Sequence, residues 1–320
     1  MVGAIARLRA DGVLSAAQAA RFDRVARRRL VSLRFEIRAL LYAGVVLLTG
    51  GVGALIARHQ QDVGPLAIAL GLGAAALACL GWVARRAAPF AWGPVPSPGV
   101  AFDYVLLLGL LLAAADLAYV EAQFSLLGPR WPRHLLVVAA LDFLAAYRWD
   151  SRTALGLALT SLAAWRGLVV GLVPTALGPG IAADLRASAI ALGLLYLAAA
   201  IASVRLGRKP DFEVVFAPAG LLLLLGGLLA GALTDPRAWT LWLLATLIAA
   251  GAVMAIAMRL GRSLDFALGL LAAYVALVRL LFEPFRYGAY ADSLPLLLSA
   301  GLGVAVLAVI FAVHRRMRER

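Results

Sequence analysis

The 320-residue sequence is 63% hydrophobic and 15% charged, with a mean hydropathy of +0.92; a water-soluble domain, nearer half apolar and a quarter charged, is excluded. Thirty basic residues against 17 acidic ones give a net charge of +13, and Lys209 is the only lysine. In a soluble chain that surplus would suggest nucleic acid. Here the arginines stand between apolar runs, which argues against nucleic acid and for membrane topology with anionic lipid headgroups as partner.

The first 38 residues are basic and predict a short cytoplasmic helical region. Residues 2–10 read as a helix ended by Asp11-Gly12, glycine supplying the left-handed cap. Ser15 then precedes Gln18 at the spacing of a capping box, predicting a second helix toward Arg38. Arg21, Arg24 and Arg28 fall on one face of it, suited to anionic lipid headgroups, while Phe22, Val25, Leu30, Leu33 and Ile37 form a looser apolar stripe. The opening is too long and too rich in arginine for a secretory signal, so the first apolar run is expected to be a retained span.

A bilayer crossing needs roughly 20 mainly apolar residues. Ten runs meet this reading: 39–57, 65–84, 101–120, 134–147, 153–173, 187–204, 213–233, 238–258, 263–282 and 294–313. The fourth is short and leaves nine spans as the alternative. With ten crossings and a cytoplasmic N-terminus, 22 of the 30 basic residues fall on the cytoplasmic side and six on the other, the asymmetry of the positive-inside rule. The expected fold is therefore an all-α integral membrane bundle over 39–313, both termini cytoplasmic, with a basic tail at 314–320. The longest loop, about Arg85 to Val100, carries Pro89, Pro94, Pro96 and Pro98 with Trp92 and reads as a stiff interfacial segment.

The Leu8-…-Gly12-Val13-Leu14-Ser15-Ala16-Ala17-Gln18-Ala19 opening, the basic helix after it and the Gly-rich run at 39–57 resemble the domain-of-unknown-function 2157 family of predicted bacterial membrane proteins. Ala101-Phe102-Asp103-Tyr104 through Glu121-Ala122-Gln123-Phe124, Trp131-Pro132 and Trp165-Arg166-Gly167 are similar to one branch of it. The resemblance covers roughly residues 1–170. It implies a multi-pass protein of the bacterial cytoplasmic (inner) membrane, and no activity.

Ionisable groups inside spans are costly and mark function by default. Asp116, Asp142, Arg166 and Arg279 lie within read spans, and Glu121 and Glu283 mark span ends. Asp116, Arg166 and Arg279 stand in the outer parts of spans that run outward, so one reading is an outward-facing polar cavity of a transporter or flippase-like protein. The plainer reading pairs Asp116 with Arg166 and Arg279 with Glu283 one turn away, as packing devices. Asp142 lies nearer the inner half and reads as a separate position. Asp103, Asp211 and Asp265 each begin a helix, where N-capping and the helix dipole account for an acid. Gly167-…-Gly171 and Gly227-…-Gly231 permit close helix contact, read here as packing within one bundle.

Cys79 is the sole cysteine, and His59, His134 and His314 lack metal-ligand spacing, so neither a metal site nor a cofactor is expected. No catalytic motif is present, and no catalytic residue is assigned. The competing class is a membrane scaffold or regulatory subunit that works through the N-terminal helix, with a membrane-protein partner or a second copy of the chain.

Overall fold

The protein is seen in a computed structural model that describes residues 64–168, 179–283 and 293–319, together with 15, 18, 40, 41, 43–45, 47–51, 53, 54 and 58. The chain divides into two units, Met1–Asp62 and Val63–Arg320. In the first, the described residues between 40 and 58 are all helical. Ser15 and Gln18 form the reciprocal capping box, each backbone N–H donating to the other's side-chain oxygen at 3.0 and 3.3 Å. Arg21, Arg24 and Arg28 lie outside the described residues.

The second unit is all-helical among the described residues. It comprises α1 (Pro65–Arg86), α2 (Val100–Phe124), α3 (His134–Trp149), α4 (Arg152–Trp165), α5 (Pro179–Arg205), α6 (Glu213–Thr234), α7 (Trp239–Leu260), α8 (Ser263–Phe282) and α9 (Ser293–Glu319). These nine helices fall on nine of the ten runs read from hydropathy. Seven of them are long and apolar enough to cross a membrane: α1, α2 and α5 to α9. α3 has 16 residues and α4 has 14, about 24 and 21 Å at 1.5 Å per residue, short of the ~30 Å hydrocarbon core.

Glycine and small-residue contacts fix the register of the antiparallel pairs. Gly73 of α1 faces Asp116 of α2, and Gly109 of α2 faces Cys79 and Leu80 of α1. Gly193 of α5 lies against Leu224 and Gly220 of α6, and Gly269 of α8 against Ala250 and Met254 of α7. Tyr196 of α5 donates its hydroxyl to the Leu159 carbonyl of α4 at 2.9 Å, tying the pairs α3–α4 and α5–α6. The Gly227/Gly231 pair works inside the bundle: Gly227 admits Ile190 of α5 and Gly231 the Trp242 indole of α7.

Sorting of side chains explains why this packing suits lipid. On α1 the buried positions are Ala69, Leu72, Ala76 and Val83, while Leu66, Leu70 and Leu77 are exposed. On α7, Ala250 and Ala257 are buried and Leu241, Leu244, Ile248 and Ile256 face outward. Small residues bring backbones together and large apolar ones cover the outside, an arrangement that water would penalise and hydrocarbon accepts. The chain is an α-helical protein whose apolar exterior fits a membrane.

Alternating connections sort the ends. Those after α1, α3, α5 and α7 gather at one end, here the Arg-rich end, and those after α2 and α6 lie at the far end. A core cluster of Val83, Phe102, Leu106, Ala146, Leu155, Ala200, Phe212 and Phe216 knits α1 to α6 toward the Arg-rich end.

Candidate functional site

Two acids lie within the α1–α4 half. Asp142 of α3 is 2% exposed, with one carboxylate oxygen 3.5 Å from the Ser161 hydroxyl of α4 and the other buried without a hydrogen-bond partner. Asp116 of α2 points one oxygen at Gly73, where an added Cβ would stand 3.2 Å away, and its other oxygen is also buried and unpartnered. The Tyr119 hydroxyl, one turn along α2, shares that condition. Among the described residues neither acid has a basic partner.

Depth is set by the helices. Gly73 is eight residues from Pro65, Asp116 eight from Phe124 and Asp142 eight from His134. Gly73 and Asp116 are in contact and so share a level, about 12 Å inside the helix ends from which they are counted. Asp142 sits near the middle of α3, eight residues from His134 and seven from Trp149.

The other candidates take separate partners. Arg166 is not inside a helix: α4 ends at Trp165, and Gly167 turns the chain with φ +76°. The exposed Arg166 guanidinium donates to the Ser188 hydroxyl of α5 at 2.6 Å and lies 5.4 Å from the Trp165 ring. Arg279 pairs with Glu283 one turn on, as the i, i+4 spacing predicts, and also covers the Trp239 ring at 4.9 Å. Glu121 accepts the Leu127 N–H at 3.1 Å and so closes the turn after α2, where Ser125 is left-handed. The partners of Arg166 and Arg279 do not include Asp116.

At the far end, Arg186 of α5 meets Asp235 at 3.5 Å and covers the Trp242 ring at 4.6 Å. The Asp235 carboxyl is held below the usual carboxylate range, first by the Ala238 N–H, then by the Arg237 N–H, the Trp242 indole and the Arg186 charge, with burial opposing. This Asp235–Trp242 corner joins α5, α6 and α7 and is absent from the sequence reading.

The Arg-rich end holds a second group that sequence reasoning missed. Lys209, 1% exposed, meets the Asp150 carboxylate at 3.3 Å and donates toward the Gly93 carbonyl at 3.4 Å. Its own N–H donates to the Trp92 carbonyl at 2.8 Å, and its ammonium lies 5.6 Å from the Phe90 ring. Asp150 also accepts the Val95 N–H at 2.5 Å. Three connections, 87–99, 150–151 and 206–212, are thus locked together. Around the lock, Arg152 pairs with Asp211 at 3.2 Å, and Arg262 pairs with Glu213 and with Asp265.

These ion pairs change the reading of the helix-start acids. Neither α2 nor α8 has a side-chain N-cap. Asp103 accepts the Ser97 hydroxyl at 3.0 Å, Asp211 takes Arg152 and Asp265 takes Arg262. Asp103 and Asp265 stand in the first turns of α2 and α8, where the helix dipole favours an acid, and each takes a partner as well, in place of a side-chain N-cap.

Comparison with protein families, curated proteins and solved structures finds no match.

Proposed function

We propose that this chain is a multi-pass transporter in which Asp116 and Asp142 carry a proton or a small monovalent cation across the membrane. The carrying observation is a pair of intramembrane acids, Asp142 buried and Asp116 half-buried, each with one buried carboxylate oxygen lacking a partner. An acid in a low-dielectric interior with no cation beside it is stable only when its charge is neutralised. A site that binds and releases a neutralising cation is the unit from which coupled transport is built. Gly73 leaves the space in front of Asp116 open to the α1 backbone, and Ser161 supplies a hydroxyl beside Asp142. The site proposed thus keeps Asp116 and takes Asp142 in place of Arg166 and Arg279.

In this reading the chain crosses the membrane about ten times. α3 and α4 serve as two short crossings shielded by their neighbours, and 39–57 is the first span. Both termini are cytoplasmic, and the Arg-rich end is the cytoplasmic one, as the positive-inside rule asks. A bacterial inner membrane and kinship with the domain-of-unknown-function 2157 family belong to the same proposal, supported by the residues that carry the resemblance.

The test is proton flux into proteoliposomes driven by an imposed potassium diffusion potential. Wild-type protein is expected to carry flux, and Asp116→Asn and Asp142→Asn to reduce it to the level of protein-free liposomes, while Glu283→Gln leaves it unchanged. Equal flux in all four proteins, measured with sodium as well as with protons, refutes the transport role of the acids.

A second reading, a scaffold or regulatory subunit working through the N-terminal region, is supported by the Ser15–Gln18 capping box, a device of helix N-termini. Deleting residues 1–38 is then expected to abolish pull-down of a membrane partner while insertion persists; undiminished pull-down rejects it.

A further inference from the structure

The surroundings of the two acids decide which cation they can take. Asp142 faces the hydroxyl of Ser161 at 3.5 Å, the outer limit of a hydrogen bond. Val138, Ala139, Ala145 and Ala146, one turn to either side of Asp142 on its buried face, are apolar, as is Ala158, buried one turn before Ser161. α2 and α4 pack against α3, and their charged groups other than Asp116 are engaged elsewhere. Asp103 accepts from Ser97, Glu121 accepts the Leu127 N–H and Arg152 pairs with Asp211.

A hard metal cation is held by about six oxygens. Intramembrane sodium sites draw many of theirs from helices that break, where unwound carbonyls turn toward the ion. The helices here do not break at the acids. α3 runs from His134 to Trp149 through Asp142, and α4 from Arg152 to Trp165 through Ser161. α2 is continuous from Val100 to Phe124 through Asp116, and α1 from Pro65 to Arg86 through Gly73, which one Asp116 oxygen faces. Carbonyls inside such helices point along the axis and accept from the residue four ahead. Each acid thus offers two carboxylate oxygens, joined at Asp142 by one hydroxyl, about half a metal shell at most.

We propose that the substrate of this site is the proton and not sodium, with Asp142 as the group that takes it; the inference rests on the reading of the acids as a transport site. A proton needs a single oxygen. It bonds to the Asp142 oxygen that lacks a partner, arriving from water at one face of the membrane and leaving to water at the other. Each cycle restores the carboxylate and needs no co-reactant. Once protonated, the carboxyl is neutral and matches the apolar side chains around it. Ser161 is a positioning residue for that carboxyl, not a ligand of a metal, so the site tolerates the loss of its hydroxyl.

The experiment measures proton flux and uptake of radioactive sodium side by side in one preparation of proteoliposomes. Wild-type protein is expected to carry protons equally fast in sodium chloride and in N-methylglucamine chloride, and to take up no sodium beyond protein-free liposomes. Ser161→Ala is expected to keep proton flux within about threefold of wild type, and Asp142→Asn to lose it. Sodium uptake by wild type that disappears in Asp142→Asn overturns the proton assignment while leaving the acids a cation site. Flux of neither ion in wild type overturns the transport reading along with it. A Ser161→Ala loss as complete as that of Asp142→Asn, in protein that elutes from gel filtration as wild type does, makes Ser161 a ligand and also overturns the proposal. A readout without flux runs alongside: sodium chloride added to weakly buffered protein in detergent is expected to release no more protons from wild type than from Asp142→Asn. Release from wild type alone means that sodium displaces the proton, and the proposal fails.

Discussion

Lys209→Met is expected to destabilise the bundle by about 3–5 kcal/mol, the usual cost of removing one partner from a buried ion pair. Methionine keeps the length and most of the apolar stem of lysine, so packing against Phe90 survives while the ammonium is lost. Asp150, 6% exposed on its side chain, then retains a charge with only the Val95 N–H to stabilise it. The loss should be measured by reversible unfolding in bicelles, with wild type and variant compared under one condition. Hydrogen exchange across residues 88–98 should accelerate in parallel, because the segment loses the ties that its 93 and 95 positions make. The Lys209→Met/Asp150→Leu double variant should recover part of the loss, since it removes both charges together. If Lys209→Met costs less than about 1 kcal/mol, the pair behaves as a solvated surface contact and does not lock the three connections.

Sequence reads Lys209 as one more cytoplasmic charge and Asp150 not at all. The reason is separation: Gly93 and Lys209 are 116 positions apart, and Val95 and Asp150 are 55 apart. No local period reports such a contact. Two signals were nevertheless present. Lys209 is the only lysine among thirty basic residues, and it stands two residues after Gly207 and directly before Pro210, in a turn where its φ of +51° is unusual for a side-chain-bearing residue. A compact ammonium fits a pocket of carbonyl and carboxylate oxygens better than a planar guanidinium does.

The helices were legible for the opposite reason. Hydropathy is a local property, and nine runs read from it coincide with α1 to α9. Their ends were less so. Arg166 reads as part of a span because apolar residues continue on both sides of it, whereas α4 stops at Trp165 and Gly167 turns away. Pairing followed the same division. The Arg279–Glu283 pair is one turn of one helix and can be read directly. The Arg166–Ser188 and Arg186–Asp235 contacts join different helices, and no spacing rule reaches them. Asp116 and Asp142 are visible as costly residues, but their contacts with Gly73 and Ser161 join different helices and no spacing rule reaches them.

The second large effect concerns glycine. Gly193→Ala is expected to destabilise the α5–α6 pair by about 1–3 kcal/mol, the range for overpacking a tight interface. A Cβ at Gly193 would meet the Leu224 nitrogen at 2.6 Å and the Gly220 oxygen at 2.9 Å. Both obstacles are backbone, so no side-chain rotation relieves the clash, and the two helices must part. Separation would also loosen the neighbouring contact, where Gly220 lies 2.9 Å from the Gly193 oxygen by the same construction. Gly226→Ala on α6 is the matched control, because nothing lies within 4 Å of its added Cβ. There the better helix propensity of alanine should leave stability unchanged or raise it by up to about 1 kcal/mol. The contrast between the two glycines tests the interface itself: equal unfolding free energies for both variants would mean that α5 and α6 are not held backbone to backbone. A tight α5–α6 pair has a consequence for transport as well. The Gly193–Gly220 contact lies apart from both acids of the proposed site, which stand on α2 and α3. Gly193→Ala should therefore lower stability more than it lowers proton flux per folded molecule, whereas Asp142→Asn should do the reverse.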